Sequence, residues 1–105
     1  MQKYVFVYHG GPKSMSPEEG KEYMGKWLDW MSSLGEAVVD RGLVVGKSVT
    51  VGQSGISLDG GANPVSGYTV VKTESLDSAT ELATKCPHIA IGGSIEIAPA
   101  LNIPM

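Results

Sequence analysis

The side chains best suited to chemistry in this chain are two histidines and a single cysteine. His9 ends the run Tyr4-Val5-Phe6-Val7-Tyr8 and precedes Gly10-Gly11. An imidazole changes charge near neutral pH and can take or give a proton, and a glycine pair lets a ligand approach the backbone. His9 is therefore the expected acid–base group, with Asp40 or Glu96 available to orient it. The plain alternative is a loop imidazole bonded to a nearby carbonyl. His88 follows Cys86-Pro87 in a segment read as a surface or interface loop. Trp27 and Trp30, three residues apart, project from neighbouring parts of one helix face. They read as core, or one of them walls an apolar pocket between helix and sheet. With Ser66 and His88 they make up the expected ligand contacts.

Other chemistries find little support. Cys86 and His88 are two potential metal ligands where a structural zinc site needs four. Cys86 also ends an apolar helical stripe, the setting of a buried, inert thiol. His9-Gly10-Gly11-Pro12 lacks the glycine spacing that presents successive amides to phosphate. No metal and no cofactor are expected. At 105 residues and 11.0 kDa the chain makes one domain, residues 1–105. A formal charge of -3 with eight basic residues leaves no electrostatic footprint for nucleic acid or an anionic membrane. There is no apolar run of membrane-spanning length, and the apolar start is too short for a signal segment, so a soluble, cytoplasmic protein is expected. One cysteine excludes an intramolecular disulfide.

The elements that position these residues follow from spacing. Residues 3–8 alternate with apolar side chains on both faces, so both faces of that strand need cover. Two helices cover one face with ease, and the other is left for a second copy of the chain; a homodimer is expected. Ser16-Pro17-Glu18-Glu19 has the form of a helix start: serine cap, proline at the first position, glutamate three residues after the cap. Tyr23, Trp27, Met31 and Leu34 then recur at helical spacing, widened by Met24, Leu28 and Trp30, and Gly35 suits the C-cap. Gly20 and Gly25 inside that helix suggest close packing against a neighbour or a bound molecule, although tolerance of a weak helix former is the commoner explanation. Ala37-Val38-Val39 either extends the helix or opens a strand, and the strand is the reading taken, with a turn at Asp40-Arg41-Gly42 and pairing resumed over residues 47–51. Gly52-Gln53-Ser54-Gly55 fits a hairpin turn.

The clearest pattern spans residues 66–97. A strand over 67–72 gives way to a stripe of Leu76, Ala79, Leu82, Ala83 and Cys86 on a helix capped by Ser75. Pro87 stops that helix, and Ile95 and Ile97 restore a period of two. The order strand, helix, strands, helix, strand predicts an α+β fold, a ferredoxin-like (split βαβ) antiparallel sheet with both helices on one face.

Several motifs together resemble the YCII-related (DGPF-type) domain family. They are Tyr4-Val5-Phe6-Val7-Tyr8, Ser16-Pro17-Glu18-Glu19, Ser66-Gly67-Tyr68 with Glu74-Ser75-Leu76-Asp77-Ser78-Ala79, Cys86-Pro87, and Gly92-Gly93-Ser94-Ile95-Glu96-Ile97. The resemblance implies a dimeric α+β barrel, two such sheets packed face to face with a pocket beside each, and an enzymatic role suggested for some members from a histidine and an aspartate. Here the first helix carries no histidine, Cys86 stands where relatives have an acidic residue, and Gly60-Gly61-Ala62-Asn63-Pro64 replaces the DGPF signature. Three functions remain in view: an enzyme transferring a proton on a small molecule through His9 and Asp40, a module that binds a small ligand or a protein partner in the same cleft, or a dimeric structural or regulatory subunit acting through its exposed loops.

Overall fold

A computed structural model describes residues 1–11 and 14–103. Four strands form one antiparallel sheet in the order β2-β5-β1-β6, with β1 Gln2–His9, β2 Val38–Asp40, β5 Val65–Thr73 and β6 Ser94–Pro99. A separate ribbon pairs β3 Thr50–Gly52 with β4 Gly55–Ser57. The helices are α1 Pro17–Leu34, α2 Leu76–Thr84 and a single turn, α3 Pro87–Ala90. This is a small α+β protein whose strand order is consistent with the split βαβ pattern.

Alternation in β1 decides what is buried. Tyr4, Phe6 and Tyr8 turn inward and join Val71 on β5, Trp30 and Leu34 on α1, and Ala79, Ala83 and Cys86 at α2 and its end. Phe6 and Val71 are fully enclosed, and each such side chain contributes about 1.5–3 kcal/mol relative to exposure. Trp30 sits in this core with its indole Nε1 donating to the Leu82 carbonyl at 3.1 Å, which ties α1 to α2. Val5 and Val7 face the other way, beside Val70 and Tyr68, and are half-buried.

The helix ends behave as their sequences require. Ser16 Oγ accepts from the Glu19 amide at 3.1 Å while Glu19 Oε1 accepts from the Ser16 amide at 3.2 Å, a complete capping box. Ser75 caps α2 through the Ser78 amide. Gly35, at φ 55°, turns the chain out of α1 into a short 3-10 segment that ends at Ala37. Val38 therefore opens a strand, and Ala37 does not belong to it. Pairing beyond β2 resumes earlier than the sequence suggests. The Leu43 carbonyl accepts from the Tyr68 amide at 3.1 Å, and the Val45 amide donates to the Ser66 carbonyl at 3.0 Å, so residues 43–45 continue along β5, ahead of the expected 47–51, of which Thr50 and Val51 pair with β4. Gly42, at φ 78°, makes this possible, since a Cβ there would run into the Tyr68 carbonyl. Around Gly20 and Gly25 a Cβ would meet nothing, so neither glycine serves close packing within the chain. No helix among the described residues is long and apolar enough to cross a membrane.

Candidate functional site

Where α1 crosses the inner face of the sheet near the end of β1, the core opens into a cavity of about 430 Å³. One wall is the aromatic and aliphatic side of α1: Tyr23, Met24, Trp27, Leu28 and Met31. Opposite it stand Tyr8, Gly67 and Thr69 from β1 and β5, residues 41–45 close one rim, and His88 closes another. The size and the mix of apolar walls with a few polar groups are those of a small-molecule site.

His88 is the buried imidazole of the chain, only 4 % exposed, and the expectation of a surface or interface position for it is overturned. Pro87 starts the short turn α3, which carries the ring back under the sheet edge, and Gly93 leaves it room: a Cβ at Gly93 would strike the ring. His88 Nε2 lies 2.8 Å from the backbone carbonyl oxygen of His9 and donates to it. A neutral His88 therefore has its lone pair at Nδ1, which makes no hydrogen bond among the described residues. The ring packs against Tyr8 at 5.6 Å and Trp27 at 6.4 Å between centroids. Trp27 in turn meets Tyr8 edge-on at 5.0 Å and Trp30 at 5.3 Å. The two tryptophans thus divide their duties, Trp27 lining the cavity and Trp30 filling the core.

Tyr8 donates its hydroxyl to Thr69 Oγ1 at 2.8 Å, and Thr69 Oγ1 donates to the Arg41 carbonyl at 3.0 Å. Burial pushes the Tyr8 phenol well up from its ordinary value, an effect the Thr69 hydroxyl only partly offsets. Tyr8 stays neutral and acts as a hydrogen-bond donor. Burial raises the Tyr23 phenol as well, with the contact to Trp27 acting against it.

His9 lies elsewhere. With Tyr8 turned inward, His9 turns to the opposite face of the sheet, where Glu96 stands across from Val7. His9 Nδ1 donates to the Asn63 carbonyl and Nε2 meets Glu96 Oε1, both at 3.0 Å, and His9 is not among the residues that line the cavity. Glu96 is thus the carboxylate that reaches His9, across side chains that are 16 % and 70 % exposed for His9 and Glu96. Asp40 is occupied differently, accepting from the Gly42 amide at 2.9 Å and from the Tyr68 hydroxyl at 3.4 Å. The structure does not bring His9 and Asp40 together. Ser66 borders the cavity at a register slip beside Tyr8 and His9, and its hydroxyl is buried without a hydrogen-bond partner among the described residues.

Cys86 faces a different, shallower groove between α1 and the end of α2, and burial pushes its thiol up to about 11, with the His88 backbone amide pulling slightly the other way. Such a thiol is a poor nucleophile and a poor metal ligand at neutral pH. Among the described residues no three His, Cys, Asp or Glu side chains converge as a metal site would require. Arg41, Tyr8 and Thr69 were not legible as site residues. For Tyr8 the inward phase of β1 was a usable signal, whereas nothing local marks Arg41. Comparison with protein-family models and with curated proteins returns no match.

Proposed function

We propose that the cavity under α1 binds a small amphipathic molecule and that His88, not His9, exchanges a proton with it. The observation that supports this reading most is the fixed ring of His88. Its Nε2–H is committed to the His9 carbonyl, and its remaining nitrogen has no partner among the described residues, in a ring that borders an aromatic-walled cavity. A positioned imidazole of this kind is what general acid–base catalysis uses. His9 contributes through its backbone, which holds the ring in place.

We further propose that the protein works as a homodimer, two sheets meeting face to face as in the dimeric α+β barrel that the resemblance to the YCII-related family implies. The support is physical. Val5, Val7 and Val70 line a sheet face with no helix over it, the molecule is only 19 Å across its thin dimension, and Val51 and Ile56 of the β3–β4 ribbon are largely exposed.

The test is a titration of small aromatic and aliphatic fragments, following the Trp27 indole and the His88 ring by NMR, with calorimetry in buffers of different ionisation enthalpy to count protons exchanged. Fragments should perturb both rings, and proton exchange should vanish in His88→Gln but persist in His9→Gln, which keeps the backbone carbonyl. Perturbation confined to the groove beside Cys86, or proton exchange unaffected by His88→Gln, would remove the assignment.

A further inference from the structure

The charges around the cavity are distributed unevenly. Of the described residues that line it, Arg41 alone carries a formal charge at neutral pH, and no carboxylate lines it. This is unexpected in a chain whose net charge is -3. The acid that precedes Arg41 in the chain, Asp40, is tied into its own turn by the Gly42 amide and the Tyr68 hydroxyl, and no ion pair between it and Arg41 is present. The Arg41 guanidinium makes no side-chain hydrogen bond among the described residues. Its backbone, by contrast, is held firmly. Thr69 Oγ1 bonds the Arg41 carbonyl at 3.0 Å, and the left-handed Gly42 that follows admits no Cβ against the Tyr68 carbonyl.

We infer that the molecule bound in this cavity is an amphipathic monocarboxylate, its aromatic or aliphatic body enclosed by Trp27, Met31 and Tyr8 and its carboxylate paired with Arg41 at the mouth. The inference rests on the cavity being a ligand site, as proposed above, and adds the charge and orientation of what enters. The planar guanidinium fork matches a carboxylate in two parallel hydrogen bonds. One cation balances one negative charge, and the carboxylate of Asp40 next in the chain works against a dianion. Seated this way, the carboxylate takes the Arg41 rim and the ligand body extends toward the His88 rim, so the atoms nearest the imidazole belong to the carbon chain and not to the acid group.

The experiment compares 3-phenylpropanoate with 3-phenylpropan-1-ol, two probes of nearly equal shape that differ in charge, by calorimetric titration of the full chain. The acid should bind about fivefold more tightly than the alcohol, the upper end of what a guanidinium–carboxylate pair at an exposed residue supplies. In Arg41→Gln that preference should collapse to within about twofold, Arg41→Lys should keep part of it, and about 0.5 M salt should weaken the acid alone. Equal affinity of acid and alcohol for the unaltered protein overturns the carboxylate assignment and leaves the cavity reading standing. A preference that survives Arg41→Gln overturns it as well. Failure of both probes to bind, as when a second copy closes the mouth at Leu43 and Val44, overturns both readings. The comparison within the unaltered protein decides the matter even where a variant folds poorly.

Discussion

The two histidines of this protein meet through the side chain of one and the backbone of the other: His88 Nε2 sits 2.8 Å from the carbonyl oxygen of His9. One consequence is a fixed tautomer for the His88 ring. His88 carries its proton on Nε2, whereas both nitrogens of His9 face acceptors, the Asn63 carbonyl and the Glu96 carboxylate. Long-range nitrogen–proton NMR on the neutral form of His88 should report a protonated Nε2 and a bare Nδ1. The opposite tautomer would contradict the placement of the ring.

Gly93 is the floor on which that ring rests, and its Cβ would collide with the imidazole. Gly93→Ala should cost about 1–3 kcal/mol, the usual penalty of overpacking a buried site. The same change should perturb the Trp27 environment through the displaced ring. Combined with His88→Ser it should cost less than the sum of the two, because the obstacle and the obstructed group are then removed together. Thermal melts of the three variants test this, and additivity would show that ring and glycine do not touch.

Cys86 makes a pH-dependent prediction. Its thiol is raised from an ordinary 9.0 to about 11 by burial, so folding favours the neutral form. The folded-state value lies above the unfolded one. The contribution to stability is therefore complete below about pH 9 and is lost as pH climbs to about 11. At about pH 8 the thiolate fraction is about a hundredfold below that of an ordinary thiol. Alkylation by iodoacetamide should accordingly be slow in the native protein and fast in denaturant, and equal rates would show the thiol to be exposed.

Gly20 and Gly25 touch nothing where a side chain would begin. Replacing either with alanine should stabilise α1 by about 1 kcal/mol, and the two gains should add. Each should raise the melting temperature by about 4–8 °C in a domain of this size. A loss of stability would mean that something outside the chain packs against these positions.

The outer sheet face provides a test of assembly. Val7 lies opposite both Tyr68 and Glu96 near its centre. If the proposed dimer forms, light scattering should give twice the 11.0 kDa chain mass for the unaltered protein and a single chain mass for Val7→Lys, which places an ammonium in the proposed interface. A monomer before substitution would end the barrel proposal.

Local sequence was enough to determine most of the elements, because their causes are local. The Ser16–Glu19 box, the cap at Ser75, the stop at Pro87 and the alternation of β1 each act within a few residues, and each is present in the fold. The Gly52–Gly55 hairpin was equally legible, although the ribbon stands apart from the main sheet.

The site was not legible in the same way, because it depends on which residues of distant segments share a face. A period of two says that Tyr8 and His9 point to opposite sides, but not which side is hollow. Only the packing of α1 over the inner face made Tyr8 the cavity residue and left His9 with Glu96 on the other surface. His88 read as a loop residue because its burial depends on Gly93 and on the His9 carbonyl 79 positions away. The residues of the chain alone set its helices, strands and turns through short-range sterics and hydrogen bonding. Tertiary structure decided which imidazole borders the cavity, since burial is a property of neighbours that only folding brings together.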